Sequence, residues 1–373
     1  MLEIADHAAR RNQAPQRSKS EREGASRGVP ETVAAIDVRH EGQHILGARI
    51  NREAPRAPLR PVAMSLGPGT SELTPTLVDP PRMPARVDTV RHQFDRRAAR
   101  FAQHDFIVRE VGGRLIERLQ VIRLDPRRIV DVGCGAGGTQ AALLERFPQA
   151  HWLGLDISLA MLARVAPPSA LSRLLPWRAP RAHLACAEAA ALPLAEGSAD
   201  LVFSNLMLHW QPQPHTVFPE WLRVLRVDGL LLFSCFGPDT LKELRRAYAA
   251  AGIAARPMPF VDMHDFGDMM VGAGFATPVM DAETIRLTYA SPQALLREAA
   301  ALGGNPRDDR AAGLVSGQRA RALFAALDEM RDREGRIALS FEIAYGHAWK
   351  PQPRLRGQST VPLDHVRAQL RRS

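Results

Sequence analysis

Ten residues, Ile129 to Gly138, constrain this chain more than any others. They read Ile-Val-Asp-Val-Gly-Cys-Gly-Ala-Gly-Gly. Apolar residues flank Asp131 on both sides, the pattern of a strand buried on both faces, as parallel strands are. Glycines at 133, 135, 137 and 138 then turn the chain. Glycine serves where backbone must approach a ligand closely or adopt positive φ. From Thr139 to about Phe147 the apolar positions Ala141, Leu143, Leu144 and Phe147 describe a helix, with its N-terminus aimed at whatever the loop holds. Strand, glycine turn and helix in succession are the first βα unit of a doubly wound α/β fold.

The glycines at 133, 135 and 138 also fit Gly-x-Gly-x-x-Gly, a weak dinucleotide signal by itself. Asp131 argues against a pyrophosphate, because it puts negative charge where negative charge would bind. It suits a cation, such as the amino group of a methionine moiety. The next strand, Trp152-Leu-Gly-Leu-Asp156, ends in a second acid. A carboxylate there can hold both hydroxyls of a ribose. Ile157-Ser158 and Met161-Leu162 open the following helix. Together these residues resemble the class I S-adenosylmethionine-dependent methyltransferases. That resemblance implies a Rossmann-like doubly wound sheet of seven mostly parallel strands, S-adenosyl-L-methionine as cofactor, and cofactor contacts at Asp131, Gly133, Gly135, Gly137, Asp156 and Ile157.

Composition narrows the partners. The net charge is +9, yet only three of the 49 basic residues are lysine. Arginine, alanine and proline are enriched along the whole chain, which is a composition bias rather than a nucleic-acid footprint. No Lys/Arg-rich run of the phosphate-tracking kind is present, and no nucleic-acid partner is expected. A mildly basic surface favours an acidic protein partner. Cys134, Cys186 and Cys235 are odd in number and scattered. They suit neither a disulfide framework nor a metal site and point to a reducing, cytoplasmic compartment. No apolar run reaches the ~18 residues of a membrane span, so no membrane insertion is expected.

Three regions follow. Residues 1–85 mix proline, glycine, serine and arginine with acids and show little periodicity, as disordered chain does; Met64 and Met83 leave open a later translation start. Residues 86–350 hold the folded domain. Residues 351–373 read as a basic, loosely ordered tail. Within the domain, Phe94, Ala98 and Phe101, then Ile107, Val111, Leu115 and Leu119, mark two amphipathic helices ahead of the first strand. The segment from Phe94 to His104 can serve as a lid over the cofactor or merely dock on the core.

Further along, Ala182 to Cys186 is a short third strand followed by Glu188-Ala-Ala-Ala-Leu-Pro193. Methyltransferases carry Asp-Ala-x-x-Leu-Pro there, its acid on the adenine amino group, which implies Glu188 and Ala189 in that role. The fourth strand, Asp200 to Trp210, brings Ser204 and Asn205 to its carboxyl end, where open α/β sheets bind ligands. His209 is a candidate base or a hydrogen-bonded structural histidine. Leu230 to Phe236 forms strand five, Pro278 to Tyr289 strand six and Ile337 to Trp349 strand seven. Between the last two lies a helical insertion, about 292–334, that is long for a loop and so expected to cap the acceptor side.

Four blocks narrow the resemblance: Phe94-Asp-x-x-Ala-x-x-Phe-x-x-His104, Asp131-Val-Gly-Cys-Gly135, Ser204-Asn-Leu-Met-Leu-His-Trp210, and Leu302-Gly-Gly-Asn305 with Phe341-Glu-Ile-Ala-Tyr-Gly-His347. They are similar to the malonyl-[acyl-carrier protein] O-methyltransferases of biotin synthesis. Phe101 where that family often has tyrosine, and Glu188 for aspartate, are departures. The resemblance implies attack by a malonyl carboxylate on the cofactor methyl, an acyl carrier protein as partner, and an arginine that reads the carboxylate, with Arg109, Arg297 and Arg310 as candidates. A carboxylate is ionised at neutral pH, so no general base is required. The same blocks occur in a mitochondrial complex I assembly factor of methyltransferase fold. That keeps a protein-modification or assembly role as the alternative, beside methylation of another small acid or a quinone-type hydroxyl.

Overall fold

A computed structural model of the chain describes residues 85–165, 181–254, 258–302, 305–307 and 315–353. The N-terminal extension up to residue 84, the connection 171–180, Arg310, Gly303 and Gly304, and the tail from 354 lie outside the described residues.

Two helical segments lead in: α1, Val87–Arg97, and α2, Phe106–Arg118. A 3-10 turn, Ala98–Gln103, joins them, so Phe101 sits in this turn rather than on a continuous helix. Then β1 (Arg128–Val132), α3 (Gln140–Arg146), β2 (His151–Asp156), α4 (Leu159–Leu162), β3 (Ala182–Cys186) and β4 (Ala199–Asn205) alternate. Helix α5 (Val217–Val224), β5 (Leu225–Phe236), α6 (Lys242–Ala250), α7 (Met263–Ala273) and β6 (Ala276–Tyr289) come next. Helices α8 (Pro292–Ala301) and α9 (Gly317–Asp328) precede β7 (Ile337–Trp349).

The strands form one sheet in the order β3-β2-β1-β4-β5-β7-β6. All pairings from β3 to β5 are parallel, and β7 runs antiparallel between β5 and β6. The sheet is therefore the mostly parallel seven-stranded one expected. Successive residues on a strand face opposite sides, and the core divides accordingly. Leu201, Phe203, Leu230 and Leu232 pack on one face under α2, α3, α6, α8 and α9, and Val202, Leu231 and Phe233 pack on the other under α5 and α7. Both faces are covered, which is why the centres of β4 and β5 (Leu201–Phe203 and Leu230–Phe233) are apolar on both sides.

Strand β5 begins at Leu225 rather than at the expected Leu230, and two other element ends fall at residues of positive φ. Strand β4 stops at Asn205, at the carboxyl end expected for it, because Leu206 turns at φ 50° and Leu208–Trp210 coil into a 3-10 turn. Helix α6 begins at Lys242, after Leu241 at φ 60°. The insertion between β6 and β7 is not a detachable flap. Leu295, Leu323 and Leu327 from its two helices are fully buried in the same cluster as Ile337, Leu339 and Leu244.

Candidate active site

The carboxyl ends of β1, β2 and β4 open into a cavity of about 250 Å³. One water needs ~10–15 Å³, so this space is built for an organic ligand. One end is the glycine loop, where Gly133 and Gly135 adopt φ of 75° and 56°. A Cβ at Gly133 would lie 2.3 Å from Cγ of Met207, so only glycine lets the β4 loop close against β1. Gly137, also of positive φ, faces Val165 and is not part of the lining, whereas Gly138 is.

Asp131 lines the cavity from the buried carboxyl end of β1. Its Oδ2 accepts from Thr139 Oγ1 at 2.8 Å and from Trp152 Nε1 at 3.2 Å. Burial still dominates, and with smaller help from the nearby Asp156 it raises the carboxyl to about 7 against the pull of those two donors. A cation placed beside it would bring it back down. Asp156, at the end of β2, accepts from Gly135 N–H at 2.9 Å through Oδ2 and from Ser158 N–H at 2.8 Å through Oδ1. It thus fixes the glycine loop as well as facing the cavity. Its carboxyl is also raised by burial, opposed by those amides.

The other expected contacts divide. Ile157 and Ala189 line the cavity. Glu188 does not: its side chain is exposed, between the lining residues Ala187 and Ala189. Asn205 lines the cavity, but both ends of its amide are engaged. Nδ2 donates to Val108 O at 2.8 Å and Oδ1 accepts from Ser234 Oγ at 2.8 Å. Asn205 therefore braces α2 against the sheet and has its polar atoms turned to the protein.

The far end of the cavity is aromatic. Phe94 stands edge-on to Trp210 with ring centroids 5.2 Å apart, and His209 packs on Phe236 at 4.6 Å and near Phe260 at 5.9 Å. Neither ring nitrogen of His209 has a hydrogen-bond partner among the described residues. Burial pushes its pKa down to about 3, so it stays neutral at physiological pH. It is neither the hydrogen-bonded structural histidine nor an effective base. Phe94, Phe101 and Ala102 form part of the wall, so the segment ahead of β1 covers the cavity. It is pinned there by Ser158 Oγ donating to Asp95 Oδ1 at 2.6 Å and by His104 against Glu298 at 3.1 Å. The insertion reaches the same space through Leu302. Arg109 lies at the cavity, well exposed and paired with Asp105 at 2.9 Å; Arg297 is exposed on α8 and outside the lining.

Comparison with known proteins agrees with this geometry. A family described as methyltransferase domain matches residues 130–233, the stretch from β1 to β5. The malonyl-[acyl-carrier protein] O-methyltransferase of Laribacter hongkongensis is 45% identical over 272 residues, covering 72% of this chain and 90% of that protein. The chain belongs to this family. Its counterpart in Methylovorus sp. is 40% identical over 71% of this chain and 90% of that one, and in Halorhodospira halophila 42% identical over 70% and 86%. As a malonyl-[acyl-carrier protein] O-methyltransferase family member the chain is a methyltransferase whose cofactor is S-adenosyl-L-methionine.

The residues present fit that cofactor. A loop closed against Met207 at Gly133, a buried carboxyl awaiting a cation, and a strand-end acid over a wall of Ile157, Met161 and Ala189 suit a methionine amine and a nucleoside in turn. Sequence reasoning missed the Thr139 and Trp152 donors on Asp131. The parallel register that sets Asp131 opposite Gly154 brings Trp152 within reach of that carboxylate, and that register is legible only in the sheet. Met207, Phe236 and Leu302 were missed as cavity walls for the same reason.

Proposed function

We propose that the chain methylates the free carboxylate of a malonyl thioester carried by acyl carrier protein, as the names of its relatives state for them. The observation that carries this reading is that the described residues offer no usable base at the aromatic end of the cavity. The His209 imidazole is buried and neutral, its pKa pushed down to about 3, and the lining carboxylate Asp105 is paired with Arg109. A hydroxyl acceptor must lose a proton to react. A carboxylate arrives already ionised, so it needs only alignment and a dry surround.

S-adenosylmethionine, when bound, supplies an electrophilic methyl group on sulfur. Transfer of that methyl to the carboxylate oxygen would exchange a C–S bond for a C–O bond, leave the electron pair on sulfur and require no proton to move. The chain's own residues do the rest. Gly133 and Gly135 admit the ligand backbone-close, Asp131 neutralises an amine, and Asp156 accepts from ribose hydroxyls. Phe94, Trp210, Phe236 and Leu302 exclude water where charge is lost. Loss of charge on both partners in the transition state is favoured by such apolar walls, because separated ions are the species water stabilises most.

The test is turnover: purified chain with S-adenosylmethionine and malonyl-carrier protein, followed by mass analysis of the carrier. A methyl ester on the malonyl group is expected. Methylation of a quinone-type hydroxyl at a comparable rate, with malonyl-carrier inert, would overturn the reading.

A further inference from the structure

A thioester carried by a protein reaches the cavity only at the end of its tether, because no protein enters a space of about 250 Å³. The carrier itself must rest on the surface around the opening. Among the lining residues the exposed ones are Ala102, Arg109 and Gly138, so the cavity meets solvent there. Ala102 belongs to the 3-10 turn that follows α1, and Arg109 to the first turn of α2. The arginine side chain runs beside Gly138, its Cγ 4.0 Å from where a Cβ on that glycine would stand.

The charge of this rim differs from that of the rest of the domain. Residues 85–353 contain 32 basic and 29 acidic side chains, and residues 86–109 alone contain six arginines and three aspartates. The whole surplus therefore falls on one short segment, and the remainder of the domain balances. A chain-wide preference for arginine over lysine does not produce such a local excess. The three aspartates of the segment are engaged. Asp88 lies 3.0 Å from Arg91 and 4.0 Å from Arg86, Asp105 lies 2.9 Å from Arg109, and Asp95 accepts from Ser158 Oγ. Arg97 turns inward to the carbonyls of Gln93 and Ala301. Arg96 and Arg100 remain. They stand four residues apart across the junction of α1 and the 3-10 turn, both are exposed, and neither has an ion pair or hydrogen bond among the described residues. Arg100 directly precedes Phe101 and Ala102, which wall the cavity. Two free guanidinium groups beside an opening create a local positive field, which steers an anionic partner more than it adds affinity.

We propose that Arg96 and Arg100, with Arg109 at the opening, are the docking face for the acyl carrier protein, which they meet on an acidic face of that partner. This rests on the malonyl-carrier reading above. The division of labour is spatial: the rim recognises the body of the carrier by charge, and the cavity receives the thioester at the end of its tether. The strip acts on encounter and touches no reacting atom.

The experiment compares steady-state methylation of malonyl-carrier protein with that of malonyl-pantetheine, a malonyl thioester without the protein, by the full chain at low and high salt. For wild type, kcat/KM on malonyl-carrier is expected to fall as salt screens exposed charges, while malonyl-pantetheine turnover changes little. Arg96→Glu combined with Arg100→Glu is expected to lose about tenfold or more in kcat/KM on malonyl-carrier at low salt, through KM, because steering is reversed. Malonyl-pantetheine turnover, S-adenosylmethionine affinity and melting temperature should stay as in wild type. The paired glutamine variant, which removes attraction without adding repulsion, is expected to lose less. Arg246→Glu with Arg321→Glu is the control: both residues are exposed, on α6 and α9, and outside the cavity lining, so the same change in net charge should have little effect. A charge-reversed rim that keeps wild-type kcat/KM on malonyl-carrier would overturn the proposal. So would an equal loss in the control pair, which would assign the effect to overall charge, or an equal loss on malonyl-pantetheine, which would assign the arginines to the cavity. If wild type methylates neither substrate, the functional reading fails first and this assignment with it.

Discussion

Asp131 makes cofactor binding depend on pH in a calculable way. Its carboxyl titrates near 7 because burial outweighs the bonds from Thr139 and Trp152. Only the ionised form can pair with the ligand amine, so binding below neutrality must first expel a proton. With a carboxyl pKa of about 7, the ionised fraction is about 0.1 at pH 6 and about 0.7 at pH 7.4. The ligand α-amino group, of pKa ~7.7–8.0, is almost wholly charged at pH 6 and about 0.7 charged at pH 7.4. The product of the two fractions rises about fivefold between those conditions and falls again above about pH 7.5. Isothermal titration in two buffers of different ionisation enthalpy reads both the affinity and the proton released, which approaches one at pH 6. Asp131→Asn should bind at least about tenfold more weakly at pH 7.4, the loss of one charged hydrogen bond, and should lack the acid limb. Equal affinity at pH 6 and 7.4 in wild type, with no proton release, would refute the reasoning.

Asp156→Ala should weaken S-adenosylmethionine binding more than tenfold and also lower the melting temperature by several degrees, because Gly135 and Ser158 lose the acceptor for their N–H groups at about 1–3 kcal/mol for each amide left buried and unpaired; an unchanged melting temperature would show that the loop does not need this tether. With His209 neutral, kcat/KM should show no inflection near pH 6.5 that disappears in His209→Gln; such an inflection would mean that the imidazole takes a proton. Leu323→Ala and Leu327→Ala should each cost about 2–5 kcal/mol in urea unfolding, the range for a buried leucine, since the insertion shares the main core; costs near zero would restore the picture of a separable cap.

The cofactor half of the site was legible because backbone chemistry writes it into local sequence. A glycine loop and two strand-end acids fall within the span from Asp131 to Ile157, and the chain can hold them in few other ways. The acceptor half was not legible. Phe94, His209, Trp210, Phe236 and Leu302 come from four separated segments, and only the packed fold says which of them meet. Asn205 was legible as a residue at the end of β4, but its role as a brace depends on Val108 and Ser234 arriving on either side. The acid after β3 illustrates the opposite case: Glu188 keeps the motif position, yet it is exposed while Ala187 and Ala189 on either side form the wall.

The central claim is that this cavity joins a cofactor methyl to an ionised malonyl carboxylate without a protein base. Its most direct measurement uses wild-type enzyme, S-adenosylmethionine labelled on the methyl group, and malonyl-carrier protein, with the intact carrier and S-adenosylhomocysteine quantified by mass spectrometry over time. The account predicts one labelled methyl on the malonyl group for each S-adenosylhomocysteine released. Tight cofactor binding without any methylated carrier would contradict it.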